Sequence, residues 1–348
     1  MASVLDAGSG IIRKREDIMI ETPLIEVHDL VKYFPLGGSL LKKPHSWVKA
    51  VNGVSFKVEK GETFGVVGES GCGKTTLARL ILGLVSPSIG RIEFDGKDFS
   101  TLNNAEMRLV RRRMQIIFQD PYSSLDPRMK VFSIITEPMR SIKDLSRNSR
   151  RELAADLLKR VGLRPEDLDK YPHEFSGGQR QRIGIARSIS TRPELIVADE
   201  PVSSLDVSIQ AQVINLMAKL REDYNLSYVF ISHDLRVVNY LCNKIAVMYL
   251  GAIVELAPKH CFTTIARHPY TRALLESVPQ PNPHQRGKLS PMEGDVSSPI
   301  NLPPGCTFHT RCHYATDMCK KIAPPLLQVE PGHYVACWLN QGRGYEDY

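Results

Sequence analysis

The chain has 348 residues, enough for two domains or for one large domain with an appendage at roughly 100–200 residues per domain. Hydrophobic residues make up 42% of it, which excludes wholesale disorder, and the longest apolar run, Ile245–Val254, is too short for a membrane-spanning helix. The net charge of +7 suits phosphate ligands, nucleic acid or an anionic membrane surface without choosing among them. Residues 1–21 lack the order of a signal peptide, so we expect a loose leader on a chain that is neither exported nor membrane-spanning.

The first part of the chain predicts strands that lead into a glycine-rich loop. Alternating apolar residues indicate strands over Leu24–Phe34 and Val51–Lys60, separated by a Gly/Lys/Pro loop at 37–45. A strand over Thr63–Val67 then runs into the glycine-rich loop and an apolar helix, Thr75–Leu84. A further strand and a charged helix are predicted over Arg91–Phe94 and Thr101–Arg113.

The middle of the chain alternates helices and strands. This order predicts an α/β core with a mostly parallel sheet, because short, fully apolar runs are typical of buried parallel strands. The helical stretch before residue 195 predicts a subdomain inserted into that core. The predicted elements are a helix over Ser141–Gly162, a strand over Leu195–Ala198, a helix over Ile209–Asp223, a strand over Tyr228–Ser232 and a hairpin over Lys244–Leu256 that turns near Gly251.

The glycine-rich loop matches the phosphate-binding pattern G-x-x-x-x-G-K-[ST] between a strand and a helix. Glycines let successive backbone N–H groups point at phosphate oxygens, and the helix N-terminus adds partial positive charge. We expect Lys74 to bridge the β- and γ-phosphates, the Thr75 hydroxyl to bind Mg²⁺, and Thr76 to support the start of the helix. The loop consists of Gly68, Glu69, Ser70, Gly71, Cys72, Gly73, Lys74 and Thr75.

Two carboxylates follow a later apolar strand, Asp199 and Glu200. Beside a phosphate loop, Asp199 is expected to hold Mg²⁺ through water, and Glu200 to polarise or orient the attacking water. The alternative is that the pair forms an ordinary turn or helix cap.

Between these two motifs, residues 175–182 read Phe-Ser-Gly-Gly-Gln-Arg-Gln-Arg. With the phosphate loop and the Asp-Glu strand in this order, the chain resembles the ATP-binding subunit of an ABC transporter. Further matches are Phe-Gln-Asp at 118–120, Ser-Ser-Leu-Asp at 203–206 and Ile-Ser-His-Asp at 231–234. The resemblance implies an α/β P-loop NTPase fold with an antiparallel β subdomain, an inserted helical subdomain and a small Cys-rich C-terminal extension.

The resemblance also implies an ATP site shared between two subunits, each an identical or a sister chain, arranged head to tail. The Ser-Gly-Gly-Gln residues of one subunit would contact the γ-phosphate held by the other, so hydrolysis would depend on closure of the dimer. The residues implied are Ser176, Gly177, Gly178 and Gln179 in that contact, Gln119 at Mg²⁺ and the γ-phosphate, His233 at the γ-phosphate beside Glu200, Asp206 after the strand, and Phe34 or, as an alternative, Tyr33 against adenine.

Four stretches are similar to the oligopeptide, dipeptide and nickel importer branch of the family: 68–74, 118–127, 171–174 and 268–275. That branch implies an ATPase at the cytoplasmic face of the membrane, working with two membrane-spanning permease subunits and, indirectly, with an extracytoplasmic solute-binding protein. We expect oligopeptides or dipeptides as solute, with nickel chelates or oligosaccharides as alternatives. Other hypotheses are a soluble ABC ATPase acting on nucleic acid or ribosomes, which we do not favour, and a non-catalytic regulatory module.

Four cysteines near the C-terminus have the spacing C-x5-C-x6-C-x17-C: Cys306, Cys312, Cys319 and Cys337. Four thiolates match the ligand count of a zinc site or an iron–sulfur cluster. Because C-x2-C pairs are absent, we favour a 4Fe–4S cluster over zinc, which the resemblance also supports; disulfides, free thiols or an empty site are the alternatives. Cys242 and Cys261 are expected to be packing residues.

Cys72 lies in the phosphate loop at a helix N-terminus, where the pKa of a thiol tends to fall. We therefore expect a bulky thiol reagent at Cys72 to abolish ATP binding.

The predicted organisation has a leader, a nucleotide-binding domain and a C-terminal part. The leader covers residues 1–21 and the nucleotide-binding domain residues 22–262, with its helical subdomain at about 98–190. A linker with a helix covers 263–304, and the Cys-rich region covers 305–348.

Overall fold

The computed structural model describes residues 22–37, 45–142, 145–277 and 297–340. The predicted leader, residues 38–44 of the predicted loop and residues 278–296 of the predicted linker lie outside the described residues.

Twelve strands lie in the described ranges, and they form two sheets. They are β1 (Ile25–Leu36), β2 (Ser46–Val58), β3 (Thr63–Val67), β4 (Ile89–Phe94), β5 (Lys97–Asp98), β6 (Met114–Ile117), β7 (Leu195–Asp199), β8 (Ser227–Ser232), β9 (Lys244–Tyr249), β10 (Ala252–Pro258), β11 (Leu327–Glu330) and β12 (His333–Val335).

Ten α-helices lie in the described ranges and alternate with the strands along the chain. They are α1 (Lys74–Ile81), α2 (Asn104–Arg113), α3 (Val131–Thr136), α4 (Arg147–Arg160), α5 (Gly177–Ile189), α6 (Val207–Tyr224), α7 (Leu235–Leu241), α8 (Lys259–Thr264), α9 (Pro269–Glu276) and α10 (Asp317–Lys321). Within these ranges, no helix combines the length and the apolar composition needed to cross a membrane.

The smaller sheet is antiparallel, with the order β2-β1-β4-β5, and the larger sheet has the order β11-β12-β10-β9-β3-β8-β7-β6. In the larger sheet, β6, β7, β8, β3 and β9 run parallel to one another. Their carboxyl ends therefore meet at one edge, which is where open α/β sheets bind ligands.

The core lies on both faces of the larger sheet, because alternate residues of its strands point to opposite faces. On one face, Val229 and Ile231 of β8 pack with α1 and the antiparallel sheet. On the other face, Tyr228 and Phe230 of the same strand pack with the helices that follow. All four side chains are fully buried, and the burial of each contributes roughly 1.5–3 kcal/mol to the stability of the fold.

Strand β6 lies inside the stretch 98–190 that the sequence predicts as helical, and it pairs with β7 in the larger sheet. The inserted helices α3, α4 and α5 follow this strand. Helix α4 begins at Arg147, later than the predicted start at residue 141, because the Ser146 side chain caps the backbone N–H of Ser149.

The C-terminal hairpin β11–β12 extends the edge of the larger sheet, since β12 pairs with β10. The hairpin is bound to β10 by a contact between two fully buried side chains: His333 Nε2 lies 2.8 Å from Glu255 Oε1. The Glu255 carboxylate also accepts the backbone N–H groups of Arg267 and His268, each at 2.9 Å. Burial raises the pKa of Glu255, but these hydrogen bonds outweigh it and leave the pKa below its usual value. The Cys-rich region is thereby bound to the body of the protein.

Candidate functional site

The phosphate-binding loop connects β3 to α1, and its shape requires glycine at two close approaches. A Cβ on Gly68 would lie 2.1 Å from the Met248 carbonyl oxygen, and one on Gly73 would lie 2.0 Å from the Ala50 carbonyl oxygen. Gly73 also has a φ of 106°, a conformation that other residues rarely adopt. The loop is therefore held against the end of β9 and against β2.

Lys74 is buried within this loop. Its Nζ donates to the Gly68 oxygen at 2.8 Å and to the Glu69 oxygen at 2.9 Å. The same ammonium lies 3.8 Å from Glu200 Oε1. It is thus the positive charge at the centre of the loop, where phosphate oxygens would be recognised.

A cavity of about 300 Å³ opens beside the loop. Phe34 lies in its wall and is 37% exposed. Tyr33, the alternative aromatic residue, is not part of this wall, and its hydroxyl donates to Asn52 Oδ1 at 2.7 Å. The wall is formed by Phe34, Val48, Ala50, Ser70, Gly71, Gly73, Lys74, Thr75, Thr76, Gln119, Glu200 and Pro299.

Two of the three predicted magnesium ligands, Thr75 and Asp199, contact each other. The Thr75 hydroxyl, at the start of α1, donates to Asp199 Oδ1 at 3.3 Å. Asp199 is the last residue of β7 and is mostly buried, and this burial raises the pKa of its carboxyl group. One hydroxyl and one carboxylate are hard oxygen donors of the kind that Mg²⁺ prefers. Their side chains therefore fit a magnesium ion carried by a nucleotide.

Glu200 is the point at which the other predicted residues converge. Gln119 Nε2 donates to Glu200 Oε2 at 3.1 Å, and His233 Nδ1 lies 3.2 Å from the same oxygen. Glu200 has a φ of 46°, a left-handed conformation that is uncommon for a residue with a side chain. Its backbone N–H donates to the Ile231 oxygen at 3.0 Å, so β8 holds the residue in this strained form.

These residues come from different strands but from one edge. Gln119 follows β6, Glu200 follows β7, His233 follows β8, and the phosphate loop follows β3. Because those strands are parallel neighbours, residues up to 165 positions apart in sequence (233 − 68) meet at their carboxyl ends. The arrangement can bind a triphosphate and orient water towards its terminal phosphate.

The Ser-Gly-Gly-Gln residues lie elsewhere on the subunit. Ser176 caps α5, where its Oγ accepts from the Gln179 N–H at 3.4 Å and the Gln179 side chain accepts from the Ser176 N–H at 3.0 Å. Ser176 and Gln179 are exposed, and neither they nor Gly177 and Gly178 line the cavity beside the phosphate loop. Asp206, exposed at the start of α6, lies outside the cavity wall as well.

The expectation of a low pKa at Cys72 is wrong. The residue is only 4% exposed, and burial raises the pKa of its thiol despite the Lys74 ammonium nearby. Desolvation of the thiolate outweighs the positive charges around it.

The four C-terminal cysteines line one pocket together with Phe308 and Trp338. The pocket has a volume of about 20 Å³, and all four residues carry free thiols. Among the described residues, no group of three or more His, Cys, Asp or Glu side chains is arranged to hold a metal ion, so the predicted zinc or iron–sulfur site gains no support from this geometry. Cys242 and Cys261 are buried in the core.

Two residues of the C-terminal part that the sequence did not single out reach the ATP-site candidate. Pro299 lines the cavity, and its carbonyl accepts from the Lys49 N–H at 3.0 Å. Arg311 forms an ion pair with Glu69 of the phosphate loop at 2.9 Å. Neither residue belongs to a motif, and a contact between residues 242 positions apart leaves no local pattern in the sequence.

Comparison with known families finds two matches along this chain. Residues 51–203 match a family described as ABC transporter. Residues 254–319 match a family described as oligopeptide/dipeptide transporter, C-terminal region.

Similar proteins cover almost the whole chain. The oligopeptide transport ATP-binding protein AppF of Bacillus subtilis (strain 168) is 50% identical over 321 residues, which are 91% of this chain and 97% of AppF. The dipeptide transport ATP-binding protein DppF of Haemophilus influenzae is 46% identical over 322 residues, 92% of this chain and 98% of DppF. Among solved structures, the dimeric ATP-binding cassette MJ0796 bound to ADP and Pi, in a post-hydrolysis state, is similar with a TM-score of 0.60 at 25% identity, covering 68% of this chain and 98% of MJ0796.

Proposed function

This chain belongs to the ABC transporter ATP-binding proteins, and we propose that within this family it is the ATP-hydrolysing subunit of an importer for oligopeptides or dipeptides. The names of AppF and DppF support the solute class, and so does the match of residues 254–319 to a region of peptide transporters. The ATPase activity rests on one observation above all, the convergence of Lys74, Gln119 and His233 on Glu200 at the phosphate loop.

The proposed mechanism assigns each of these side chains a separate task. The loop N–H groups and Lys74 bind the β- and γ-phosphates, while Thr75 and Asp199 hold the Mg²⁺ that neutralises phosphate charge. Glu200 accepts a hydrogen bond from the attacking water and orients it in line with the γ-phosphate. Gln119 and His233 bind Glu200 in that orientation, and Phe34 stacks on the adenine ring.

We propose that a second subunit completes the site. Ser176, Gly177, Gly178 and Gln179 are exposed or half-buried and lie outside their own cavity wall, which supports a role on a neighbouring subunit. The N-terminus of α5 would then direct its free N–H groups at the γ-phosphate bound by the partner. Hydrolysis would follow only when two subunits close on the nucleotide.

We propose that two membrane-spanning permease subunits bind this protein at the cytoplasmic face of the membrane, and that a solute-binding protein delivers the peptide to them. The family membership supports this arrangement, because an ATP-binding subunit acts on transport only through membrane partners. We expect Gln119 to connect the ATP site with the permease. It follows β6, the edge strand of the parallel part of the sheet, and precedes the inserted helices.

We propose further that Cys306, Cys312, Cys319 and Cys337 bind a 4Fe–4S cluster within a region spanning 305–348, behind a cassette spanning 22–262. All four residues carry free thiols that line one pocket, and thiolates are the ligands that hold iron–sulfur clusters. A pocket of about 20 Å³ is smaller than such a cluster, so the thiols would have to move apart to bind it. Iron and acid-labile sulfide in stoichiometric amounts after anaerobic purification would support this part of the proposal, and their absence would contradict it.

The experiment for the transport function is a reconstitution. The protein and its permease subunits are placed in lipid vesicles with the solute-binding protein, and ATP hydrolysis is measured with peptides, nickel chelates or oligosaccharides. We expect peptides of two to several residues to stimulate hydrolysis. Stimulation by a nickel chelate or an oligosaccharide alone would contradict the proposed solute class, while leaving the ATPase assignment intact.

A further inference from the structure

We propose that Arg311, in the Cys-rich region, is a positioning residue for the phosphate-binding loop, so that the C-terminal region acts on ATP binding. This inference rests on the proposed ATPase function and adds a residue to it that lies outside every ATP-binding motif of the sequence.

The contact between Arg311 and Glu69 is a two-pronged ion pair. Arg311 Nη1 donates to Glu69 Oε2 at 2.9 Å, and Nη2 donates to Glu69 Oε1 at 3.2 Å. The side chains are 5% and 23% exposed, so water screens the pair little. A guanidinium and a carboxylate joined by two parallel hydrogen bonds also define each other's orientation.

Glu69 is bound to the C-terminal part through its backbone as well. Its N–H donates to Tyr270 Oη at 2.9 Å, while its carbonyl oxygen accepts from Lys74 Nζ at 2.9 Å. A displacement of Glu69 would therefore move a hydrogen-bonding partner of the lysine that binds phosphate. Arg311 thus binds the side chain of Glu69, and Tyr270 binds its backbone N–H.

The turn that carries Arg311 is itself anchored. The Arg311 N–H donates to the Phe308 oxygen at 3.0 Å. The Phe308 ring packs against Tyr249 and Tyr270, with centroids 5.3 Å and 5.4 Å apart. This turn connects Cys306 to Cys312, which both line the cysteine pocket. Cys306 is two residues from Phe308 and Cys312 is adjacent to Arg311, so a movement of either cysteine would displace the turn.

The charge of Glu69 gives Arg311 a second task. A carboxylate in a phosphate-binding loop has the same sign as the triphosphate, so left unpaired it would repel the ligand. Arg311 neutralises this carboxylate and holds it towards the C-terminal region. Removing the guanidinium would leave a partly buried negative charge in the phosphate-binding loop, and replacing the carboxylate by an amide should relieve its repulsion of the triphosphate.

The test is ATP binding by the purified full-length chain, measured by titration with a fluorescent ATP analogue and Mg²⁺ at constant ionic strength. We expect Arg311→Gln to raise the Kd for ATP about 10-fold and Arg311→Lys to raise it less, because lysine keeps the charge but loses the fork. Glu330→Gln is the matched control: it breaks the ion pair of Glu330 with Arg267 in the same region, away from the loop, and should leave the Kd within about twofold.

The double variant Glu69→Gln/Arg311→Gln separates positioning from a general loss of structure. We expect it to bind ATP more tightly than Arg311→Gln alone, since the unpaired carboxylate is gone, and to unfold at the same temperature as that single variant within a few degrees. Unchanged ATP binding in Arg311→Gln and Arg311→Lys, or strictly additive effects of the two substitutions, would overturn the proposal. A wild-type chain that binds no ATP would instead refute the proposed function itself.

Discussion

At the scale of single residues, Glu200 carries the ATPase assignment. Lys74, Gln119 and His233 all lie within 4 Å of its carboxylate. Its backbone has a left-handed φ of 46°, and the hydrogen bond from its N–H to the Ile231 oxygen holds it in this strained form. Such strain is expected where a side chain must be aimed at a reacting group.

The first prediction concerns Glu200→Gln. The amide keeps the size of the side chain but cannot act as a base, so we expect ATP hydrolysis to fall by at least about 100-fold while ATP binding is retained. Phosphate release and nucleotide titration measure the two properties. Asp169→Asn, in an exposed ion pair with Arg151, is the control and should hydrolyse ATP as the wild type does. Normal turnover by Glu200→Gln would show that another residue orients the water.

The second prediction concerns the reactivity of Cys72. The Cys72 thiol is buried and its pKa is raised, so we expect a more accessible cysteine to react with a thiol reagent faster than Cys72 does. In the folded chain without a bound cluster, we expect labelling of the half-buried Cys319 to be at least about tenfold faster than labelling of Cys72, and the two rates to be comparable in denaturant. Mass spectrometry of the labelled peptides reads both sites. Preferential labelling of Cys72 in the folded chain would contradict its burial.

At the scale of elements, the helix starts show how local chemistry supports the site. Helix α1 begins at Lys74 without a side-chain cap, so its first N–H groups stay available to phosphate. Helix α5 begins with a capping box between Ser176 and Gln179, which sets its first turn but leaves other N–H groups free. The same backbone property thus serves on both sides of the proposed shared site.

The third prediction is a pH dependence at the start of α9, where His268 Nδ1 accepts from the Tyr270 N–H at 3.1 Å. Complete burial lowers the pKa of His268 from 6.5 to about 4. Between these values the unfolded chain binds a proton that the folded chain does not, so stability falls as the pH falls through this window. The loss begins near pH 6.5 and amounts to about 1.4 kcal/mol per pH unit below it, so the change from pH 7 to pH 5 costs about 2 kcal/mol.

His268→Asn tests this prediction, because asparagine caps a helix without titrating. Urea unfolding at pH 7 and pH 5 gives the free energy of unfolding of each protein. We expect the variant to lose about 2 kcal/mol less than the wild type between the two pH values. Equal losses in both proteins would mean that His268 does not control this dependence.

At the scale of the whole molecule, the proposed mechanism depends on the separation between the phosphate loop and the Ser-Gly-Gly-Gln residues. The phosphate loop follows β3 of the larger sheet, whereas Ser176 caps the inserted helix α5 and lies outside the cavity wall. Two chains related by a twofold axis can each supply what the other lacks.

The fourth prediction uses this complementarity. Lys74→Ala removes the phosphate-binding charge, and Ser176→Tyr blocks the opposite contact, so each variant alone should lack hydrolysis. In a mixed dimer, one site combines the intact loop of one chain with the intact Ser176 of the other. We expect an equal mixture to recover up to about a quarter of wild-type hydrolysis, because half of the dimers are mixed and each has one intact site. No recovery in verified mixed dimers would contradict a site shared between identical chains.

The sequence by itself determined the parts of this protein that depend on local pattern. The strand over Thr63–Val67 is predicted with the bounds that the structure has, because four of its five residues are β-forming and a glycine-rich turn follows it. The phosphate loop followed from the spacing of glycines and a lysine, and the α/β class followed from the alternation of elements. The start of α4 and strand β6 were less predictable, since a capping serine and a four-residue strand give weak signals.

Only the tertiary structure decided which distant residues meet. The order of parallel strands brings Gln119, Glu200 and His233 to one edge, and the choice of Phe34 over Tyr33 for the cavity wall depends on which face of β1 each occupies. The pKa of Cys72 was wrongly expected because burial is a property of the folded chain. The ion pair of Arg311 with Glu69 was invisible for the same physical reason: charge and burial act through space, and 242 residues of sequence separate partners that the fold places 2.9 Å apart.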